Sequence, residues 1–348
     1  MHQSNTIPLL IEKIIPETAD TRSFVLKNIS NSNINYTAGQ FLTFVFEKRN
    51  GEEARRNYSI SSSPDLQEPL QITVKRIANG DYSRWLIDEA KEGNILQTTG
   101  ASGFFTLPTD LSLISRLIFF AAGSGIAPIL AMIKTVLHLS AHIHMVLIYS
   151  NSSLSATIFY DELKSIQQKF PGRLLIDFLF SNDPVVSRTR LNMWKIEQTA
   201  RYYFPASSNN TLFYLCGPFD YMRMITIVLR TEGVPENMIR KEIFHVEKPA
   251  SKPVPPDILP HEIVAHFQNA EYIFTSQYPQ TILQAAKANG IGLPYSCEAG
   301  QCGTCAATCV SGKVWMWHND VLLDEEIAKG RVLTCTGYAI EGDVVLRY

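Results

Sequence analysis

The sequence predicts three consecutive domains: an antiparallel β-barrel over residues 1–110, an α/β domain with a parallel sheet over 111–247, and an α+β domain over 261–348. Three observations predict this order. Short strand-like runs fill the first region, apolar runs alternate with amphipathic segments in the second, and a proline-rich linker at 248–260 precedes the third. A length of 348 residues is compatible with two or three domains.

The first region contains β-rich runs with turn residues between them. An alternating pattern covers Leu9 to Leu26, and further runs lie at Phe41–Phe46, Tyr58–Ser61, Leu70–Arg76 and Asn94–Thr99. A closed antiparallel barrel is the natural architecture for such strands, because closure removes the exposed edges.

In the second region the spacing of apolar residues along the sequence changes. Its short apolar runs are Arg116–Ala122, Met145–Tyr149, Leu174–Phe180 and Leu212–Cys216. Amphipathic segments such as Pro128–Leu139 and Phe159–Phe170 lie between them, which favours βαβ units around a parallel sheet. The segment Lys248–Pro256 is then rich in proline and predicts a semi-rigid spacer.

The third region predicts two strands, a helix near Thr281–Asn289, a cysteine loop and further short strands. It carries nine acidic and five basic residues, whereas the remainder of the chain is mildly basic. This contrast suggests docking between an acidic module and the remainder. An ordinary solvated face explains it equally well.

Composition narrows the class of protein. A net charge of −2 gives no bulk basicity that would indicate nucleic acid or an anionic membrane. The most apolar stretch, Leu117–Leu139, is interrupted by Gly-Ser-Gly and Pro128 and contains Lys134, so it predicts strand, turn and helix, not a membrane span. The N-terminus shows no secretory pattern, and the cysteines do not suggest a disulfide framework, so we expect a cytoplasmic protein.

The cysteine pattern is the most specific signal for function. The spacing Cys-x4-Cys-x2-Cys with one distant cysteine is that of plant-type [2Fe–2S] sites. The predicted ligands are Cys297, Cys302, Cys305 and Cys335. The alternative is zinc, but zinc motifs usually pair two closely spaced couples. Cys309 falls outside the spacing and is expected to be a small buried hydrophobe.

Two motifs in the barrel region suggest a flat, phosphorylated ligand. In Arg56-Asn-Tyr58-Ser59 the arginine suits a diphosphate, and the tyrosine two residues on projects to the same side and can cover a ring. The segment Gly80-Asp-Tyr-Ser83 predicts a serine-capped helix start that binds an anion. Taken alone, the first motif also fits an exposed arginine beside a core tyrosine, and the second also fits an ordinary capped turn.

Two further motifs end predicted strands of the α/β region. The glycines of Gly123-Ser124-Gly125, with Pro128 behind them, let a pyrophosphate approach a helix N-terminus. This is not Gly-x-Gly-x-x-Gly, so the standard Rossmann fingerprint is excluded. Cys216-Gly217-Pro218 follows another strand, at the edge where ligands of open α/β sheets gather. Cys216 could equally be a buried cysteine in a turn.

In this order the motifs resemble the ferredoxin–NADP reductase superfamily, in the arrangement with a C-terminal plant-type ferredoxin domain. Reductases of phenylacetyl-CoA epoxygenase, ketosteroid hydroxylase and hybrid-cluster protein share the arrangement. The resemblance covers essentially the whole chain and continues past the cysteine loop through Asn319–Ile327 to Val344–Tyr348. It implies an FAD-binding barrel, an NAD(P)-binding α/β domain and a β-grasp ferredoxin domain.

The resemblance also implies roles for individual residues. The flavin motif corresponds to Arg56 on the pyrophosphate, Tyr58 against the isoalloxazine and Ser59 near N5, with Lys75, Gly80 and Ser83 as further cofactor contacts. The nicotinamide-nucleotide contacts correspond to Gly123, Ser124, Gly125, Pro128, Cys216, Gly217 and Pro218. Glu242 and Phe244 match a Glu-x-Phe ending close to the flavin. Tyr58, Ser59, Cys216 and Glu242 are the implied catalytic group.

The activity implied is electron transfer from NADH or NADPH through FAD and a [2Fe–2S] cluster to a protein acceptor, which would be an oxygenase or a hybrid-cluster protein. Orientation of two stacked rings is then the main catalytic demand. The alternative function is a redox sensor or binding module whose cluster reports its oxidation state. The absence of a basic stripe in the sequence argues against a sensor that reads nucleic acid.

Two departures from the family pattern bear on specificity. The loop Gly100-Ala-Ser-Gly103-Phe104 lacks the family's usual proline. The choice between FAD and FMN as the bound flavin therefore stays open at this point. Where many relatives have Asn-Arg, this chain has Asn151-Ser152-Ser153, which weakens the case for NADPH. Arg188, Arg190 or the serines could replace that arginine, so the choice between NADH and NADPH stays open.

Overall fold

The structure is a computed structural model that describes residues 6–30, 34–48, 50–185, 189–204, 210–244 and 252–348. The described residues form two compact units. One contains Thr6–Ala101 and Phe105–Phe244, and the other contains Ser102–Phe104 with residues 252–348. The predicted linker at 248–260 is described only from Lys252 onward.

The N-terminal region is an antiparallel barrel, as predicted. Its elements are β1 (Ile7–Thr18), β2 (Thr21–Asn28), β3 (Phe41–Glu47), β4 (Glu53–Ser59), β5 (Gln71–Lys75), α1 (Asp81–Asp88) and β6 (Ile95–Ser102). The strand order is β4-β3-β6-β1-β2-β5, and an antiparallel bridge between Ile60 and Ile72 closes the sheet. Buried apolar side chains such as Leu9, Phe24 and Phe44 fill the interior.

The next region is a parallel sheet between helices. Its elements are β7 (Arg116–Ala122), α2 (Ile126–Leu139), β8 (His144–Asn151), α3 (Tyr160–Lys169), β9 (Leu174–Phe180), α4 (Met193–Tyr203), β10 (Thr211–Cys216), α5 (Phe219–Thr231) and β11 (Ile239–Glu242). The strand order is β11-β10-β7-β8-β9, and every pair is parallel. All the carboxyl ends therefore meet at one edge of the sheet, where the predicted nucleotide motifs lie.

The C-terminal region has the α+β fold of a β-grasp domain. Its elements are β12 (His261–Phe267), β13 (Ala270–Ser276), α6 (Ile282–Ala288), β14 (Ala306–Met316), α7 (Asp324–Ala328), β15 (Arg331–Leu333) and β16 (Gly337–Arg347). In the order β13-β12-β16-β14-β15 only β12 and β16 run parallel. Thr281 caps α6 by accepting from Gln284 N at 3.3 Å, which fixes the helix before the cysteine loop.

Two local predictions need correction. The strand predicted from Tyr58 begins earlier, at Glu53, and includes Arg56, because the charged residues of β4 also pair with β3. Helix α1 begins at Asp81 with Gly80 as its N-cap, so Ser83 lies inside the first turn and does not cap the helix. Within the described ranges, no helix is long and apolar enough to cross a membrane.

Candidate functional site

The carboxyl ends of three adjacent strands carry the centre of the site. Cys216 at the end of β10 is in register with Ala121 of β7 on one side and with Glu242 of β11 on the other. The side chains of Cys216 and Glu242 are both buried. Burial raises the pKa of the Cys216 thiol well above its usual range, and the neighbouring Glu242 raises it further. Cys216 is therefore a neutral thiol and not a thiolate nucleophile.

Glu242 joins this edge to the barrel. Ser59 Oγ, at the end of β4, donates a hydrogen bond to Glu242 Oε1 at 3.1 Å. Burial raises the pKa of Glu242 to about 8, although the Ser59 hydrogen bond opposes the shift. Glu242 is consequently protonated at neutral pH. Its second oxygen, Oε2, is buried and has no hydrogen-bond partner among the described residues. Such an atom fits a site where a ligand supplies the missing polar partner.

The glycine loop after β7 packs directly on the segment after β10. Gly123–Gly125 form one 3₁₀ turn, and α2 follows without interruption. A Cβ atom built on Gly125 would lie 2.1 Å from the carbonyl oxygen of Cys216, so only glycine allows this contact. Gly123 has a φ of +54°, in the left-handed region that favours glycine. The glycine loop and the segment that carries Cys216 are therefore in direct contact.

A cation from the barrel lies beside this loop. A Cβ atom built on Gly123 would be 3.8 Å from Lys75 Nζ, and the same ammonium group lies 3.5 Å from Asp20 Oδ2. The N-terminus of α2 and the lysine thus face the same loop. A helix N-terminus with a nearby ammonium group suits a phosphate. The residues present fit a nicotinamide dinucleotide at this position.

Two tyrosines hold the glycine loop and the end of β7 before it, and neither was predicted from the sequence. Tyr149 in β8 is fully buried and donates to Gly123 O at 3.0 Å. Tyr221 in α5 donates to Ala121 O at 3.1 Å. For Tyr149 the sequence contained a signal, namely a tyrosine near the end of an otherwise apolar strand. A buried tyrosine hydroxyl usually requires a hydrogen-bond acceptor.

The flavin motif projects from β4 on the barrel. Arg56 is exposed, and its guanidinium carbon lies 5.0 Å from the centroid of the Tyr82 ring. Tyr58 is half-buried and packs against Phe44 with ring centroids 5.9 Å apart. Burial raises the pKa of Tyr58, so its hydroxyl stays protonated. An arginine next to a half-buried ring fits a phosphate joined to a flat heterocycle.

Gly80 and Ser83 shape the start of α1. A Cβ atom built on Gly80 would lie 2.5 Å from Ser83 Oγ. The Ser83 hydroxyl accepts from Ile77 N at 3.2 Å and donates to Gly80 O at 3.1 Å. Ser83 therefore fastens the loop to the helix, and the role of the first-turn N–H groups as an anion site stays a prediction.

The other predicted contacts lie around the same sheet edge. Ser124 is partly exposed in the glycine loop, Pro128 is buried in the first turn of α2, and Pro218 is the N-cap of α5. Phe244 follows β11 and is 44% exposed. Their roles as cofactor contacts stay predictions.

The segment expected to distinguish NADH from NADPH follows β8. Asn151 is buried, Ser152 is exposed, and Ser153 Oγ lies 3.1 Å from Ser155 Oγ. Arg190 is exposed, and Arg188 lies outside the described residues. The nucleotide preference stays open.

The four predicted cluster ligands lie together in the C-terminal domain. Hydrogen-bond contacts connect the thiol of Cys297 to those of Cys302 and Cys335, and the thiol of Cys335 to that of Cys305. Ala299 N donates to Cys297 Sγ at 3.4 Å and Cys297 N donates to Cys302 Sγ at 3.5 Å. Backbone N–H groups aimed at sulfur are typical of iron–sulfur loops, so the donor set fits a [2Fe–2S] cluster.

The loop that carries these thiols depends on glycine. Gly300 has a φ of +74°, and a Cβ atom built on it would lie 2.7 Å from His318 O. Cys309 is only partly buried, and not buried as predicted, because it lies on β14 with its thiol donating to Ser311 O at 3.4 Å. Over the described ranges, no three Cys, His, Asp or Glu side chains are arranged to hold a single metal ion.

Family models match the three regions in order. The oxidoreductase FAD-binding domain matches residues 8–107, the oxidoreductase NAD-binding domain matches 119–226, and the 2Fe-2S iron-sulfur cluster binding domain matches 266–339. FAD, a nicotinamide nucleotide and a [2Fe–2S] cluster are therefore confirmed as the cofactors, and the chain is an oxidoreductase.

Full-length relatives have the same organisation. The ferredoxin reductase component of 3-ketosteroid-9-alpha-monooxygenase from Rhodococcus rhodochrous is 30% identical over 96% of this chain and 94% of its own length. One component of 1,2-phenylacetyl-CoA epoxidase from Escherichia coli is 30% identical over 98% of this chain and 97% of its own length. The fold matches phthalate dioxygenase reductase with a TM-score of 0.60 at 23% identity, over 99% of this chain and 98% of that one.

The sheet edge, the thiol loop and the three matched domains agree with one another and with relatives that span nearly the whole chain. The chain belongs to the ferredoxin–NADP reductase superfamily, as a member that carries a C-terminal plant-type [2Fe–2S] domain.

Proposed function

We propose that this chain is the reductase component of an oxygenase system, which takes electron pairs from NADH or NADPH and delivers them singly to a partner oxygenase. The observation that carries the proposal is the hydrogen bond between Ser59 and Glu242. It brings the predicted flavin motif to the sheet edge where the predicted nucleotide motifs converge. The names of the relatives, which are oxygenase reductase components, support this class of partner.

When bound, FAD supplies the conversion of a two-electron donor into one-electron steps, and the cluster supplies the one-electron outlet. The residues of this chain prepare the site for that chemistry. Glu242 keeps a proton at Oε2 in a buried position, and Ser59 fixes the orientation of its carboxyl group. Cys216 remains a neutral thiol, and it would lie beside the nicotinamide when the nucleotide is bound.

The loop residues bind and orient the nucleotide. Gly125 lets the loop approach Cys216, while Lys75 and the N-terminus of α2 attract the pyrophosphate. Correct placement of the nicotinamide and flavin rings accounts for a large part of the rate of hydride transfer. The translational and rotational freedom of the rings is then lost on binding and not in the transition state. Four thiolates at Cys297, Cys302, Cys305 and Cys335 would hold the cluster.

A cytoplasmic location is part of the proposal. Four of the six cysteines are predicted cluster ligands and none of the six forms a disulfide, which is consistent with a reducing compartment.

Turnover tests the function. Full-length protein with excess NADH or NADPH should reduce cytochrome c for many cycles and should support product formation by its partner oxygenase. Each hydride donated would yield two reduced cytochromes and one proton. A single reduction of the protein without turnover would favour the sensor instead. Co-purification of an oxygenase with the reduced protein would identify the partner.

A further inference from the structure

We propose that Ser102, the last residue of β6, is a positioning residue that raises the reduction potential of the iron–sulfur cluster through the hydroxyl group of Thr304. The inference rests on the proposed function, because it concerns how readily the cluster takes an electron from the flavin. Ser102 falls within the region that the FAD-binding family model matches, and all four thiolate ligands fall within the region of the 2Fe-2S model. The ligand motif alone therefore does not include this residue.

Ser102 belongs to the C-terminal unit of the structure. The segment Ser102–Phe104 follows β6 and joins the compact unit that contains residues 252–348. Phe104 packs against the apolar core of this unit, and the guanidinium carbon of Arg331 lies 5.6 Å from the centroid of its ring. A Cβ atom built on Gly303, in the cysteine loop, would lie 2.4 Å from Phe104 Cδ2. The segment is therefore held directly against the cysteine loop.

Two hydrogen bonds lead from this segment to a predicted cluster ligand. Ser102 Oγ and Thr304 Oγ1 are 3.0 Å apart, although 202 positions separate the two residues in the chain. Thr304 Oγ1 accepts in turn from the Cys302 thiol, with 3.4 Å between oxygen and sulfur. Cys302 is buried, whereas Ser102 and Thr304 are partly exposed. The two hydroxyl groups and the sulfur thus form one continuous hydrogen-bond chain.

Ligation of iron would fix the direction of this chain. A cysteine that binds a metal is a thiolate, which carries no proton and can only accept a hydrogen bond. The Thr304 hydroxyl has a single proton, so donating it to Cys302 Sγ leaves the Thr304 oxygen as an acceptor for the Ser102 hydroxyl. Ser102 would then hold Thr304 in the orientation that donates to sulfur. Bonds that are linked in this way polarise and strengthen one another.

The chain acts on electron transfer through the charge of the cluster. Reduction adds one negative charge, and a hydrogen bond to a ligand sulfur stabilises the more negative state. Ser102 should therefore raise the reduction potential of the cluster and favour electron transfer from the flavin. The simpler explanation is that Ser102 only anchors the segment on which Phe104 lies. That explanation predicts lower stability for Ser102→Ala and an unchanged cluster potential.

The potential of the cluster distinguishes these explanations. Full-length protein with its flavin and cluster is titrated with a chemical reductant, and electron paramagnetic resonance measures the fraction of reduced cluster. The equilibrium constant for cluster reduction should fall about threefold in Ser102→Ala and about tenfold in Thr304→Val, which equals about 30 and about 60 mV for a one-electron couple. Ser102→Thr keeps a hydroxyl group and should keep the potential. Ser311→Ala, at an exposed serine of β14, is the matched control.

A double variant tests the route through Thr304. If Ser102 acts through Thr304, adding Ser102→Ala to Thr304→Val should leave the potential of Thr304→Val unchanged. An unchanged potential in Ser102→Ala, or a further fall of the same size in the double variant, would overturn the inference. If Thr304→Val does not assemble the cluster, the comparison of Ser102→Ala with Ser102→Thr decides. A wild-type cluster that the chemical reductant reduces, but that neither NADH nor NADPH reduces, would instead contradict the proposed function.

Discussion

Ser59 Oγ and Glu242 Oε1 are 3.1 Å apart, although 183 positions separate the two residues in the chain. The bond unites the end of a barrel strand with the end of a strand in the parallel sheet. Because Glu242 is buried with a pKa raised to about 8, the pair brings a proton, and not a negative charge, to the proposed flavin position at neutral pH.

The first prediction concerns the pH dependence of flavin reduction. If the protonated form of Glu242 is required, the rate should fall about tenfold per pH unit above pH 8. Glu242→Gln cannot lose a proton, so its rate should be lower but nearly independent of pH over the same range. Anaerobic stopped-flow absorbance between pH 6 and pH 9.5 measures both profiles. A decline above pH 8 that persists in Glu242→Gln would assign it to another group.

The same residue predicts a change in stability with pH. The folded-state pKa of Glu242 lies above the ordinary value of 4.5, so the stabilisation gained by holding the proton is complete below about pH 4.5 and is lost as pH rises through about 8. The melting temperature of Glu242→Gln should therefore fall less than that of wild type over this range. Glu236→Gln, at an exposed ion pair with Arg230, should behave like wild type. Parallel melting curves for wild type and Glu242→Gln would refute the buried proton.

Cluster ligation predicts a separation of the two electron-transfer steps. Cys335→Ser should keep reduction of the flavin by nucleotide but abolish transfer to cytochrome c, because the cluster has lost a thiolate. Cys309→Ser removes a thiol outside the ligand set and is the control. Electron paramagnetic resonance of the reduced protein follows the cluster in both variants. Normal cytochrome c reduction by Cys335→Ser would contradict this division of roles.

The contact of Gly125 with Cys216 predicts a steric effect on nucleotide binding. A methyl group on Gly125 would overlap the Cys216 carbonyl, so Gly125→Ala should cost about 1–3 kcal/mol in stability and raise KM for the nucleotide. Gly172 has a φ of +78° and open space around its Cβ position. Gly172→Ala should therefore show only the backbone cost of about 1–2 kcal/mol, with KM unchanged. Thermal unfolding and steady-state kinetics separate the two effects.

The Tyr149 hydroxyl predicts a smaller effect on the same loop. Tyr149→Phe removes the hydrogen bond to Gly123 O and should destabilise the protein by about 0.5–1.5 kcal/mol. Because the loop then loses a fixed point, KM for the nucleotide should rise severalfold while kcat changes little. The exposed Tyr202→Phe is the control. An unchanged KM would show that the loop holds its position without Tyr149.

The sequence predicted some elements to the residue, for a physical reason. The strands Arg116–Ala122 and Leu174–Phe180 have the predicted bounds. The first is buried along almost its whole length, and buried strands of a parallel sheet form continuous apolar runs. Strand β4 was predicted to begin too late. Its first half, Glu53-Ala-Arg-Arg56, has no hydrophobic alternation, and only pairing with β3 makes it a strand.

The candidate site, like the fold, could be predicted from the sequence only in part. Spacing alone indicated the cluster ligands, since three of the four are neighbours in sequence. Ser83 was misassigned because glycine and serine both serve as N-caps, and only the backbone decides which one does. The contact of Lys75 with the glycine loop and the supporting role of Tyr149 depend on tertiary packing. The Lys75 contact has no pattern in the sequence that would reveal it, whereas a tyrosine in the apolar strand β8 was a signal for Tyr149.

Anaerobic mixing of the full-length protein with NADH or NADPH tests the central claim most directly. Flavin and cluster absorbance are followed during the reaction, and freeze-quenched samples are analysed by electron paramagnetic resonance. Sequential bleaching is expected, with the flavin first and then the signal of a reduced plant-type [2Fe–2S] cluster. A flavin band unaffected by either nucleotide, or four thiolates found to bind zinc instead of iron, would contradict the proposed electron route.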